Sequence, residues 1–307
     1  MSSIPKETLT NDMDDHCLKP VEINDAELIN TYLKKAQYEE SNHNVVNMML
    51  WLDFFKLFQW HDDNIMILIC EFKDITFAYM PLCEKKYFLQ GIVIIDKIFD
   101  KLKKQPVLNC YTEEYVKMIN DSGKDYHFAE YRNIFDYVYE TEKLRTFSGK
   151  KLQKKRNNLN AFYRLYQDVY KYEPLSKANI EECRDFLDDW RDELCDEFLL
   201  HESVGIERIF DNWEALPVTG GLIRIKGCVR SFIIGSELSS QMGQINVEKA
   251  DEEIRGLYQA ILKEYLLNNM LDKLYLNRED DMGKPNLQQA KQAYNPIFMI
   301  KKYIGKG

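Results

Sequence analysis

Residues 245–266 read INVEKADEEIRGLYQAILKEYL. The opening residues complete the stretch MGQINVE, a strand expected over 242–248, and an acidic loop follows. Arg255-Gly256 then opens a helix over about 254–268, with Ile254, Leu257, Ile261 and Leu262 recurring at helical spacing on one face. Outward toward the C-terminus come KLYLN as a strand, a short helix at 286–293 and a last strand, PIFMIKKYI. Toward the N-terminus, LIRIKGCVRSFIIG reads as a hairpin turning at Lys226-Gly227, preceded by helices near 176–200 and 204–214.

The first half has the same grammar. Asn24 is expected to cap a helix near 25–36, and a second helix is expected over roughly 44–58. NIMILIC and ITFAYM are strands joined at Lys73-Asp74. A long helix near 86–104 carries Phe88, Ile92, Ile95 and Phe99 inward, and PVLNCY, a helix at 112–120, YHFAEY and FDYVYE close the half. The order α-α-hairpin-α-strand-α-strand thus occurs twice, with a spacing of about 150 to 165 residues. The alternative is two unrelated α/β domains, since the halves share no obvious identity and the second has an extra strand at 242–248. The expected partition is a loose arm, 1–20, a first copy, 21–147, a basic connecting helix, 148–170, and a second copy, 171–307.

The chain has 307 residues, 45% hydrophobic and 30% charged, with a formal net charge of -9. This excludes a mainly disordered chain and a protein whose whole surface binds nucleic acid; phosphate contacts would need a local patch. The seven cysteines are odd in number and form no Cys-x-x-Cys pair, which argues for free thiols in a reducing compartment over a disulfide framework or zinc site. Asp15-His16-Cys17 sits in a polar arm and reads as non-catalytic. No targeting signal is visible, and VVNMMLWLDFFKLF, at 45–58, is too short and too interrupted to span a bilayer, so a cytoplasmic location is expected.

One patch does carry positive charge. Lys150, Lys151, Lys154, Lys155 and Arg156 crowd the first turns of a helix expected over 150–167, whose apolar face is Leu152, Leu159, Phe162, Tyr163 and Tyr166. Like charges at i,i+4 and cations at a helix N-terminus both weaken the helix, and a bound polyanion would relieve both. The alternative is a solvated linker face opposite acidic surfaces of the same chain.

A glycine at a helix start lets backbone N–H groups approach a phosphate, as in acyltransferases that hold the pyrophosphate of coenzyme A. Their signature, Gln/Arg-x-x-Gly-x-Gly/Ala, falls on Glu253, Gly256 and Tyr258, of which only Gly256 matches. Asn277, Arg278, Glu279 and Asp280 follow a strand end, where α/β sheets bind ligands. Asp280, Asp281 and Gly283 read as a turn, and no metal site is expected. Tyr294 is either a general acid or a core tyrosine. The first half has no such glycine, since Lys85 and Lys86 stand where its long helix begins, and it reads as structural.

Three longer blocks, DYVYETEKLRTFSGKKLQKKRNNLNAFYRLY, EKADEEIRGLYQAI and YLNREDDMGKPNLQQAKQAYNP, resemble the C-terminal domain of phosphatidylglycerol lysyltransferase, over roughly Pro20 to Tyr303. The resemblance implies an α/β fold built as a tandem duplicated GNAT-like unit, akin to Fem-type aminoacyltransferases, without the lysyltransferases' N-terminal transmembrane block. It implies an acyl- or aminoacyl-transferase that takes its group from aminoacyl-tRNA or acyl-coenzyme A and passes it to an amine or hydroxyl of a small-molecule, lipid or peptide acceptor. In that reading Glu248 is the base and Tyr294 the acid, while Arg255 and Gly256 hold donor phosphate. Asn277, Arg278 and Glu279 line the acceptor side, and the basic helix tracks tRNA phosphates. The alternative is a non-catalytic binding protein that keeps the fold and recognises tRNA, a nucleotide or an anionic ligand.

Overall fold

The computed structural model describes residues 17–192 and 197–307. The chain forms two compact units. One contains the described residues through Tyr38, then Leu52–Arg132 and Lys301–Gly307; the other contains Glu39–Trp51 and Asn133–Ile300.

In the first unit an eight-stranded sheet runs in the order Lys19–Pro20, Lys56–His61, Ile65–Phe72, Ile75–Ala78, Val107–Tyr111, Tyr303–Lys306, His127–Glu130, with Leu82–Cys83 also paired to Ile65–Phe72. Ile65–Cys70 is buried at every position, the mark of a central strand covered on both faces. The helix Phe88–Leu102 buries Phe88, Ile92, Ile95 and Phe99, the stripe its sequence period predicts. The lysines before it are engaged at the surface, Lys85 with Glu114 and Lys86 with Glu84.

The second unit has a seven-stranded sheet in the order Phe298–Ile300, Asp136–Glu140, Tyr275–Asn277, Met242–Ala250, Cys228–Glu237, Val218–Ile225, Tyr170–Pro174. Each sheet has one parallel pair, Ile75–Ala78 with Val107–Tyr111 and Met242–Ala250 with Tyr275–Asn277, and each pair is bridged by a helix, Phe88–Leu102 or Leu257–Asn269. The expected class, α/β with two mixed sheets flanked by helices, is therefore the one the chain adopts. The hairpin turns where expected, with Lys226 and Gly227 both at positive φ, as a tight two-residue turn requires.

Several expectations are corrected. Asn24 is not the cap; a short 3-10 turn at Ile23–Asp25 enters the helix Ala26–Ala36, and Asp25 Oδ2 accepts the Glu22 N–H at 2.8 Å. The 44–58 helix is only Val45–Leu50, capped by the Asn44 side chain on the Asn47 N–H, and belongs to the second unit. Lys56–His61 is a strand because Leu57 and Gln59 alternate inward, a period of two. The 150–167 helix begins at Gln153, leaving Lys150 and Lys151 in the preceding turn. Residues 15–16 of the Asp15-His16-Cys17 stretch lie outside the described residues, as does most of the 1–20 arm, while Lys19–Pro20 pairs with Phe58 and Gln59.

The boundaries 21–147, 148–170 and 171–307 follow the chain, whereas the sheets interleave it. FDYVYE pairs with Tyr275–Asn277 and Phe298–Ile300 in the second sheet. The last strand is two: Phe298–Ile300 stays in the second sheet, and Tyr303–Lys306 enters the first between Val107–Tyr111 and His127–Glu130.

Candidate active site

The site lies in the second unit, where two parallel strands part. Met242–Ala250 pairs with Tyr275–Asn277 only through Met242, Gly243 and Gln244. On its other side, Val247 faces Ile234 and Ile245 faces Gly235, so Asn246 is the extra residue of a bulge. Bulges bend a strand and re-aim its side chains. Beyond the parting, Glu248 comes from one strand and Arg278 from just past the end of the other.

Glu248 Oε2 accepts Arg278 Nη2 at 2.5 Å, and both side chains are largely buried, at 8% and 14% exposure. Glu248 Oε1 is buried without a hydrogen-bond partner, and Arg278 Nη1 has no well-formed one. The guanidinium sits 4.5 Å from the centroid of the Tyr294 ring. Tyr294 follows the short helix Pro285–Gln292; its hydroxyl oxygen accepts Gln259 Nε2 at 2.7 Å. Burial raises the Tyr294 hydroxyl above the usual tyrosine range, and the Arg278 charge only partly opposes it, so the phenol is protonated at neutral pH. Lys155 Nζ lies 4.1 Å from the same ring centroid. Its ammonium is pulled below the usual lysine range, by burial first and by Arg278 second.

A second polar network lies next to the first. Glu279 has a left-handed backbone, with φ 58°; its N–H is held by Asn277 Oδ1 at 2.8 Å, and its Oε1 accepts Gln244 Nε2 at 2.7 Å. Burial raises the Glu279 carboxyl, against the attraction of Lys291, whose own ammonium burial lowers. Lys291 Nζ donates to the carbonyls of Arg278 and Asp280, pinning the turn after the strand. Asn277 is fully buried, and its amide donates to Asp136 Oδ2 at 2.9 Å and to the Glu39 carbonyl at 3.1 Å. These bonds fix Asn277 and Glu279, the residues on either side of Arg278 in the chain. Asp280 and Asp281 build the expected turn, accepting the N–H groups of Met282 and Gly283.

The residues expected on the donor side stand differently. Gly256 has φ 87°, and a Cβ there would lie 2.2 Å from the Asn158 carbonyl oxygen. Close approach of the helix Gln153–Tyr166 accounts for this glycine. Arg255 is exposed and donates to Asn158 Oδ1 at 3.0 Å. Of the basic cluster, Lys150, Lys151 and Lys154 are exposed, and Arg156 donates to the carbonyls of Phe147 and Gly149 at 2.6 and 3.1 Å. Only Lys155 joins Glu248, Arg278 and Tyr294.

Gln244, Gln259, Lys291 and Tyr139, whose ring centroid lies 5.8 Å from the Arg278 guanidinium, were not legible as site residues. Lys155 had a signal: it occupies the slot between Leu152 and Leu159 in the stripe that continues to Phe162 and Tyr166, so a helix that buries this stripe turns Lys155 inward.

Comparison with known proteins gives a consistent answer. The family described as phosphatidylglycerol lysyltransferase, C-terminal, matches residues 34–306. A conserved protein of unknown function from Bacteroides thetaiotaomicron is 25% identical, with a TM-score of 0.86 over 94% of this chain and 98% of that one. L-PGS from Bacillus licheniformis is 13% identical, with a TM-score of 0.66 over 91% of each chain. The C-terminal domain of a protein described as a lysylphosphatidylglycerol synthetase, from Agrobacterium fabrum, is 12% identical, with a TM-score of 0.65 over 92% of this chain and 90% of that one. An uncharacterised protein from Mycoplasmoides gallisepticum is 31% identical over 176 residues; the chain spans 56% of its length. Among the described residues no helix is long and apolar enough to cross a membrane. The chain belongs to the family of the C-terminal domain of phosphatidylglycerol lysyltransferase.

Proposed function

We propose that the protein is an acyltransferase of the aminoacyl-transferring kind, with aminoacyl-tRNA as donor and an amine or hydroxyl as acceptor. The observation that carries this reading is the Glu248–Arg278–Tyr294 cluster at the parted strand ends. Glu248 Oε1 takes the proton of the acceptor as its nitrogen or oxygen attacks the donor's ester carbonyl. Tyr294 gives its proton to the departing oxygen as the carbon–oxygen bond breaks. Arg278 holds Glu248 in place and offers Nη1 to the charge that develops on the carbonyl oxygen. Neither step needs a covalent enzyme intermediate, because positioning and proton transfer suffice.

The choice of tRNA over coenzyme A rests on two supports. The family is that of a lysyltransferase domain. In addition, Glu253 and Tyr258 stand where the coenzyme A signature has Gln/Arg and Gly/Ala, and the Asn158 carbonyl brings a partial negative charge beside Gly256. The exposed Lys150, Lys151 and Lys154 then serve as contacts to tRNA phosphates. This reading places the protein in the cytoplasm, where charged tRNA is found.

The test is transfer of radiolabelled amino acid from charged tRNA, lysyl-tRNA first, to phosphatidylglycerol vesicles and to a panel of amines. Tyr294→Phe and Glu248→Gln should each lower kcat by about 10²-fold or more with little change in KM. Wild-type turnover that both variants match would refute the assignment. The rival reading, a binding protein that keeps the fold, gains from the same Gly256 observation. It predicts a tRNA-induced rise in melting temperature with no labelled product.

A further inference from the structure

Lys155 stands apart from the basic cluster to which its sequence position assigns it. Its neighbours Lys150, Lys151 and Lys154 face solvent, and Arg156 is engaged with the carbonyls of Phe147 and Gly149. Lys155 is half-buried, over the ring that Arg278 also approaches. The Arg278 charge acts against the Lys155 ammonium, and attraction to one tyrosine ring is weak compensation. A single carboxylate, Glu248, serves them both, and it bonds Arg278 alone, through Nη2. The cluster therefore carries an excess positive charge in a poorly solvated place.

Three further observations point the same way. Arg278 Nη1 is a buried donor with no fully formed hydrogen bond, and the guanidinium's further interaction is with the Tyr294 hydroxyl. Tyr294 receives a hydrogen bond from Gln259, which leaves its own proton available to donate. Burial and the Arg278 charge together loosen the Lys155 proton, a penalty that a nearby anion would cancel. Beyond the one bond that Arg278 makes to Glu248, a buried guanidinium N–H, an ammonium and a phenol gathered around the Tyr294 ring make a donor set suited to an oxyanion.

We infer that Lys155, Arg278 and Tyr294 form a subsite for a small singly charged oxyanion, a carboxylate or a phosphate ester. It is separate from the Arg255–Gly256 helix start. It is adjacent to the unpartnered Glu248 Oε1, so that an anion and an N–H or O–H donor of one ligand are recognised side by side. The inference stands on the donor set and does not require the transfer reading, because anion binding is measured directly.

The experiment is calorimetric titration of the full chain with acetate and, separately, with methyl phosphate, at constant ionic strength in chloride. Saturable binding of one or both is expected; acetate alone identifies a carboxylate site, and methyl phosphate alone a phosphate-ester site. Lys155→Met should weaken the binding about tenfold or more, the loss of one charged hydrogen bond. Lys155→Arg should largely retain it, and Arg164→Met, an exposed change in the last turn of the same helix, should leave it unchanged. Lys155 is half-exposed, so the methionine variant is expected to fold, and an unchanged melting temperature checks this. Absence of saturable binding, or equal weakening by Arg164→Met and Lys155→Met, would overturn the subsite. Anion binding that obeys these variants, in a protein that transfers no amino acid, would leave the subsite standing and remove the transferase reading.

Discussion

Arg278 joins two contacts at the site: a buried ion pair with Glu248 and the ring of Tyr294. Removing one member of such a pair strands the other charge. Arg278→Met should therefore cost about 3–5 kcal/mol of unfolding free energy in urea, and the double variant Glu248→Gln/Arg278→Met should recover much of it. A single variant as stable as the parent would show that Glu248 finds other solvation. Lys155 gives a pH-dependent signature. Its ammonium is held below the ordinary lysine value of 10.5, so between the lowered value and 10.5 the unfolded chain binds more protons than the native one. Stability should then rise with pH across that window relative to Lys155→Met, when urea midpoints are compared from neutral pH upward. A flat difference would mean that Lys155 titrates alike in both states. Arg278 and Tyr294 were legible because a strand end and the mouth of the last strand are readable from pattern, whereas Glu248 entered through the family resemblance. Gln259 and Tyr139 were not, because their part depends on contacts across elements, and no spacing rule reports those.

At the scale of elements, periodicity read the long segments well and the short ones poorly. The stripe of Phe88–Leu102 and the turn at Lys226-Gly227 follow from local sequence. The run at 45–58 misled because apolar residues at almost every position fit helix and strand alike; only strand pairing to Ile65–Phe72 decides that Lys56–His61 is extended. Gly256 was legible as a special position, and the structure adds a packing reason for it. The helix Gln153–Tyr166 passes so close that the Asn158 carbonyl occupies the space of a Cβ, and the backbone is left-handed as well. Gly256→Ala should therefore cost more than about 1 kcal/mol, since an unfavourable φ and a backbone clash add. It should also loosen the basic helix, seen as faster amide exchange over 153–166. Retained protection with unchanged stability would mean that the two helices separate without penalty.

The whole molecule shows what reading along a chain misses. Sequence order suggests two consecutive copies, but the sheets draw on distant segments, because hydrogen-bonded register is set by which strand edges remain open rather than by chain proximity. Asp136–Glu140 comes from the middle of the chain and fills the place between Tyr275–Asn277 and Phe298–Ile300. Tyr303–Lys306, the last strand, sits inside the first sheet, bonded to Val107–Tyr111 on one side and His127–Glu130 on the other. An inserted strand is a different matter from a terminal tail: its removal opens the sheet and exposes two edges at once. Truncation after Ile300 should therefore release His127–Glu130 from the first sheet and strip Val107–Tyr111 of its antiparallel partner, while the Glu248–Arg278–Tyr294 cluster, built entirely from residues 133–300 of the second unit, keeps its own strands. Hydrogen exchange resolves the two outcomes. Fast exchange over 107–111 and 127–130 with protection retained over 242–250 and 257–269 is the expected pattern. Uniform loss of protection would mean that the two units unfold as one cooperative body, and uniform retention would mean that the inserted strand is dispensable to its sheet.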